Sequence, residues 1–230
     1  MVIIMLELLI LTYQVEFDGY KLSNFVPPSG AKSPFEFTGG KLCLDFANTV
    51  NNRTSDHAEE LLTDYPSLVK WSEEAGILTP RNVERLHLLA GETPGHAQSA
   101  LRHAIQFRDA IYSVFAAVAG RQPVPGAALA MINAVVQQAS EHLRIVHSNR
   151  RFDWEWVLPD RSLDSMLWPV ARSAAELLTS DDLDYVRQCA AGDCAWLFLD
   201  KTKNHRRRWC DMKTCGNRDK ARRYYARKKA

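Results

Sequence analysis

The 230-residue chain lacks the common signatures of catalysis. It has no nucleophile elbow, no phosphate-binding glycine loop and no dinucleotide fingerprint, and Gly39-Gly40 alone is a turn signal. No two of its seven histidines stand at HExxH spacing, so His57, His87, His96, His103, His142 and His147 read as scattered surface or core residues, not as a second metal site. Long apolar runs are missing too. The opening stretch, Met1 to Leu11, is broken by Glu7, carries neither a basic leader nor a small-residue cleavage site, and is too short to span a bilayer. There is no internal repeat and no long low-complexity tract. These absences set the first expectations: no catalytic residues, no membrane, and a cytoplasmic setting in which thiols stay reduced.

Cysteine is scarce, at five residues, yet four of the five are paired. Cys189 and Cys194 have four residues between them, as do Cys210 and Cys215, and fifteen residues separate the pairs. Two short-loop pairs joined by a longer excursion can deliver four thiolates to one tetrahedral zinc. The alternative is two disulfides or four unrelated core thiols. With no open position for water, a four-cysteine zinc is structural. Gly192 and Gly216 offer loose backbone beside the ligands, and His205 is the one nearby substitute ligand, set in a basic loop. Cys43, between Leu42 and Leu44, reads as a small core residue. A segment this poor in apolar residues depends on the metal for much of its folding free energy.

The modest net charge of +2 conceals a polarised molecule. Residues 201–230 carry 13 Lys and Arg against two Asp, a balance of +11, which leaves −9 for the rest. Concentrated positive charge suits a phosphate backbone, because each neutralised phosphate releases condensed counterions. A solvated or disordered basic tail is the plainer reading. From Asn217 onward, however, the segment contains no helix breaker. Helical spacing puts Lys220, Arg223 and Arg227 on one stripe and Arg218, Arg222 and Tyr225 on the next, with Tyr224 near Lys228. Lys203, Arg206, Arg207 and Arg208 add basic side chains from the loop between the pairs, and Asn217 with Arg218 opens the helix. These are the candidate nucleic-acid contacts.

The four cysteines, with Cys215 opening the run Cys-Gly216-Asn217-Arg218, resemble the CGNR zinc finger of bacterial proteins. Trp196-Leu-Phe-Leu-Asp-Lys-Thr-Lys-Asn is similar to that family's hairpin strand and turn, and Arg208-Trp209-Cys210 to the lead into its second ligand pair. The resemblance covers about 185–228. It implies a treble-clef-like knuckle, hairpin and helix that holds one structural zinc and binds DNA.

Upstream, residues 18–34 read as a linker and 1–34 as an extension. Phe35 and Phe37 alternate with polar neighbours up to Gly39-Gly40, which suggests a strand, and Leu42, Leu44 and Phe46 alternate after the turn. Helices follow: one capped by Asp64, with Pro66 in its first turn, ending near Gly76; one from Thr79-Pro80, stopped at Gly91; a long one from Thr93-Pro94 through Phe115; and one from Pro125 toward Leu143. Residues 143–147 and 152–157 read as a β-hairpin. A last helix, capped by Ser162, carries Leu167 to Leu178, with Pro169 as a kink or as its true start. The expected fold class is α+β: a helix-rich domain with a few strands over 35–180, then a small finger over 181–230.

Gly39-Gly40, Leu44-Asp45-Phe46, Asn48-Thr49, Arg53 and the later Arg172-Ser-Ala-Ala-Glu-Leu-Leu are similar to the ABATE domain, which precedes CGNR fingers in stress-induced transcription regulators. That resemblance implies a domain sensing a ligand or stress signal. Asp45, Asn48, Thr49, Arg53, Arg108 and Arg172 then form a candidate pocket for an anionic or polar effector, since guanidinium forks suit carboxylates and phosphates. Equally, Asp45 can pair with Arg108 or Arg172 while Asn48 and Thr49 cap a helix. Three functional readings remain at this point: a DNA-binding regulator with a small-molecule effector, an RNA- or ribosome-associated zinc protein, and an enzyme with a structural finger. A single short recognition helix also calls for a second contact surface, such as a homodimer.

Overall fold

The computed structural model describes residues 33–148, 150–159 and 161–229. The expectations for the apolar opening and for most of the linker therefore lie outside the described residues. The fold is α+β and predominantly helical, with three two-stranded antiparallel sheets among the described residues.

Local sequence accounts for most of the body. Helix α1 (Leu42–Ala47) is followed by a minimal ladder of β1 (Val50–Asn51) and β2 (Glu59–Glu60). Helix α2 (Tyr65–Glu74) opens with a reciprocal capping box: the Ser67 N–H donates to the Asp64 carboxylate at 2.8 Å, and the Asp64 N–H donates to the Ser67 hydroxyl at 3.1 Å. Helix α3 (Pro80–Glu92) passes through Gly91 and stops one residue later. The stop comes from Pro94, which pushes Thr93 out of the helical region (φ −134°, ψ 62°) and starts α4 (Pro94–Ala119). Along α4, Ala97, Ala100, Ala104, Phe107, Ile111, Val114 and Phe115 form a buried stripe at three- and four-residue steps. Helix α5 (Gly126–Ser140) ends before Leu143, which belongs instead to the hairpin β3 (Leu143–Ser148) and β4 (Arg151–Trp156). In α6 (Leu167–Leu178) Pro169 lies in the first turn, where its missing N–H costs no hydrogen bond, so it marks a start and no kink arises.

The strand expected before Gly39-Gly40 is absent. Residues 35–37 form none: Phe35 is buried, and Phe37 lies against Trp71 with ring centroids 6.2 Å apart. The alternating Leu42, Leu44 and Phe46 belong to a helix. Cys43 and Ala47 are as fully buried as Leu44 and Phe46, so α1 is enclosed nearly all round and its pattern carries no useful period.

After α6 a 3-10 turn (Asp181–Tyr185) leads into β5 (Val186–Gln188), which pairs with β6 (Leu197–Leu199). Strand β6 is buried on both faces, and the two-residue period divides its side chains. Leu197 and Leu199, with Val186, join the large core of the body, whereas Trp196 and Phe198 enter a small second cluster around the four paired cysteines. A π-turn (Met212–Gly216) and α7 (Asn217–Lys229) complete the described chain.

Candidate zinc centre and nucleic-acid interface

The four cysteines of the two pairs are buried, and their sulfur atoms all lie within 4.8 Å of one another. Cys194 and Cys210 are 3.7 Å apart and Cys210 and Cys215 3.6 Å. Zinc–sulfur bonds of about 2.3 Å give a tetrahedron with edges of about 3.8 Å. A disulfide brings its sulfurs to about 2.05 Å. The donor set thus fits one four-coordinate zinc with no open position, and all five cysteines are free thiols. The sulfurs act on one another: S–H donation from Cys194 and Cys210 pulls the Cys189 thiol far down, and the same contacts push Cys194 and Cys210 up. The metal supplies the positive charge that lets all four become thiolates.

Backbone bonds shape the knuckles. The Cys189 N–H donates to the Trp196 carbonyl (2.7 Å) and the Ala190 N–H to the Arg208 carbonyl (2.8 Å), which ties the first knuckle to both the hairpin and the second pair. Ala195, not a glycine, takes the left-handed conformation (φ 56°). A Cβ at Gly216 would meet the Met212 sulfur at 2.5 Å, so a side chain there would have to displace the half-exposed Met212 thioether. Asp211 caps the π-turn by accepting from the Thr214 N–H at 2.8 Å. The Asn217 amide donates to the Lys213 carbonyl (3.0 Å). The Arg218 guanidinium donates to the Cys215 sulfur (3.4 Å) and pairs with Asp193 of the first knuckle (3.2 Å). Arg207 also turns inward, donating to the Trp209 and Cys210 carbonyls and covering the Phe198 ring at 4.5 Å. His205 is turned away from the sulfurs, its ring stacked on Tyr185 and bonded to the Asp200 carbonyl (2.9 Å). Cys43 lies in the core of the body, fully buried.

The outward groups differ. From Lys220 to Lys228 every side chain of α7 is exposed. Arg222 shares Asp193 at 3.1 Å, Arg223 pairs with Asp219, and Arg208 lies over the Trp209 ring. Among the described residues Lys203, Arg206, Lys220 and Arg227 make no hydrogen bond or ion pair.

The six residues of the expected effector pocket fall into three places. Asn48 and Thr49 stand where α1 meets β6. The Asn48 amide grips Leu197 at both ends, donating to its carbonyl and accepting from its N–H, each at 2.8 Å, while the Thr49 hydroxyl donates to the Phe46 carbonyl. Asp45, beside them, accepts the Gly39 N–H at 2.7 Å and faces neither Arg108 nor Arg172; burial pushes its carboxyl up to about 7. Arg53 and Arg108 meet at Asp109 (3.2 and 3.1 Å), with Arg108 also on Glu60 (2.5 Å) and Arg53 over the Tyr112 ring (4.0 Å). Arg172 lies apart on α6, paired with Glu176 and facing Trp154.

Among the described residues Asn48 alone of the six bonds to the finger, but its neighbours in the fold do so too. The Leu199 N–H donates to the Gly39 carbonyl (2.8 Å), the Trp196 indole to the Val50 carbonyl (2.8 Å), the Tyr112 hydroxyl to the Ala195 carbonyl (3.2 Å), and the Thr54 hydroxyl to the Gly192 carbonyl (3.1 Å). Gly39 packs so closely on α1 that a Cβ would meet that of Leu44 at 2.9 Å. The motif stretch from Gly39 to Thr54 is therefore a dock for the finger's hairpin. That role was missed because nothing in the motif itself names a partner 149 residues away.

The structure also gathers histidines that the sequence leaves scattered. His96, His103, His142, Arg161, Asp164 and Trp168 line a cleft of about 590 Å³ where α4, the end of α5, Pro159 and residues 161–164 meet. His103 lies 3.3 Å from Asp164 and holds its carboxyl below the usual range, and His142 stacks on Trp168 at 4.2 Å. The one clue in the sequence was the seven-residue step that puts His96 and His103 on one face of α4.

A helical body with a four-cysteine metal knuckle docked on it defines a structural zinc-finger protein. Residues 40–181 match the ABATE family model, described as "Putative stress-induced transcription regulator", and residues 185–228 match that of the CGNR zinc finger. The chain belongs to the ABATE family and carries a CGNR finger holding one zinc. Neither model describes an enzyme. No curated protein matches the chain. Among the described residues no helix is long and apolar enough to cross a membrane.

Proposed function

We propose that the protein is a zinc-dependent, DNA-binding transcription regulator whose body presents the finger and responds to a small-molecule or stress signal. The observation that carries this reading is α7, a 13-residue helix with seven Lys and Arg against one Asp, exposed from Lys220 to Lys228 and anchored through Cys215 just before its first turn. A helix this polar has no core to face, and a fixed comb of cations matches a phosphate backbone. Lys203, Arg206, Lys220 and Arg227 supply the freest phosphate contacts. Arg222, Arg223 and Arg208 join them by leaving half-buried partners, and Asn217, Arg218 and Arg207 hold the knuckle. An effector would act through the dock, since the body sets the orientation of β6 and hence of the knuckle.

An RNA-binding reading draws on Tyr224 and Tyr225, exposed at 55% and 64%, because stacking aromatics serve single strands. Fluorescence anisotropy with labelled duplex DNA across a salt series tests both. Affinity for duplex is expected to fall steeply with salt, and Lys220→Ala and Arg227→Ala each to lower the log–log slope by about one without changing stability. Salt-independent binding, or preference for single-stranded RNA over duplex at every salt concentration, sinks the DNA reading.

A further inference from the structure

The β3–β4 hairpin is an arm with one uncovered apolar face. Directly opposed residues share a face, and the register pairs Leu143 with Trp156, Ile145 with Trp154 and His147 with Phe152. At the base Trp156 packs toward Trp168 (6.1 Å), and Arg172 covers one side of Trp154 (5.0 Å). Further out, Ile145, Trp154 and Phe152 remain 62%, 55% and 73% exposed. Among the described residues each strand pairs only with the other, which leaves two open edges. A two-stranded ribbon is marginal in water, and an open, aromatic edge is a template for further pairing.

We propose that this arm is the surface through which two copies of the chain associate, β4 against β4. Two observations favour a second copy. The first is charge order. Along β4, Arg151 stands at the tip end, followed by Asp153 and Glu155. Run antiparallel to itself with Phe152 facing its copy, the strand sets Arg151 of each arm opposite Asp153 of the other, so the sequence is its own complement. The second is area. Two aromatic side chains worth about 150–250 Å² apiece, mostly uncovered, together with Ile145, give an exposed face on the order of 300–400 Å². Edge pairing sets the two copies of this face side by side on one four-stranded sheet with Phe152 against Phe152 at the seam, so the association covers the open edges and the seam aromatics and joins the rest into one continuous patch. A dimer also doubles the basic helices available to one duplex, as a short recognition helix requires. The association does not depend on DNA binding, and its test needs no DNA.

Sedimentation equilibrium of the full zinc-loaded chain over micromolar concentrations reads the mass. The wild type is expected to approach twice the chain mass. Phe152→Asp with Trp154→Ser is expected to give the monomer with unchanged zinc content and far-ultraviolet spectrum. Arg151→Asp is expected to weaken association about tenfold or more, and adding Asp153→Arg to that variant to restore it, a rescue that general damage to the arm does not produce. A wild type that stays monomeric, a dimer indifferent to Phe152→Asp with Trp154→Ser, or a charge swap without rescue overturns the proposal. A different protein or the chain's own residues as the cover would appear as the first of these outcomes.

Discussion

The two ends of the zinc finger face opposite ways. Its hairpin is inside: Leu197 and Leu199 belong to the core of the body, and both polar groups of Leu197 are held by Asn48. Its helix is outside, with every side chain from Lys220 to Lys228 in water. The zinc cluster is the joint, since its ligands come from the loop between β5 and β6 and from the turn that opens α7. The boundary between the two matched families, near residue 181–185, is thus a boundary in similarity that the packing crosses. A finger built this way is a rigid presenter: the body fixes one half so that the other half is held at a set orientation.

The largest expected effect falls on the exposed half. Cys210→Ser removes a ligand shared by two short sulfur contacts, and structural zinc is worth on the order of 10 kcal/mol to such a knuckle. Duplex binding is expected to vanish in anisotropy, with circular dichroism losing about one short helix, because 13 residues of this composition do not hold a helix alone. Next comes the buried half. Asn48→Ala strands the buried N–H and carbonyl of Leu197 together, a loss of about 2–5 kcal/mol in urea unfolding, with zinc content unchanged.

A smaller effect comes from Asp45 beside that joint. Its folded carboxyl titrates near 7, well above the ordinary 3.8, because burial disfavours the charge. Between these values the folded chain holds a proton that the unfolded chain has released, so stability falls as pH rises from about 4 to about 7 and is level above. Asp45→Asn keeps an oxygen for the Gly39 N–H. It is expected to flatten that slope and to stabilise the protein above pH 7 by on the order of 2–4 kcal/mol, read as melting temperature against pH. The smallest effect is at the surface: Asp193→Asn releases Arg222 to solvent while Arg218 stays on the Cys215 sulfur, and is expected to raise duplex affinity about two- to fivefold with little change in melting.

Much of this was legible in the sequence because it is local. The zinc ligands follow from two equal spacings, α2 from Asp64 with Pro66 in its first turn, and the β3–β4 hairpin from two runs on either side of Ser-Asn-Arg-Arg. What was not legible is what depends on a distant partner. Asn48 and Arg53 look like part of a ligand site because polar residues on a buried stretch need partners, and the sequence does not say that the partners are Leu197 and Asp109, while Asp45 and Thr49 are taken up by Gly39 and Phe46 within their own stretch. Helix α1 was not legible for a related reason: total burial erases the periodicity that separates helix from strand. Arg207 and Arg218 count as surface charge in any sequence tally, yet their side chains are turned to carbonyls and to a ligand sulfur.

The central claim is that one half of the finger is held by the body and the other by the metal. Amide hydrogen exchange with and without a zinc chelator tests it most directly. Chelation is expected to abolish protection along α7 while the Leu197 and Leu199 amides, bonded to Asn48 and Gly39, stay protected. Loss of protection at Leu197 and Leu199 together with α7 would contradict the account and make the finger an independent metal-folded unit.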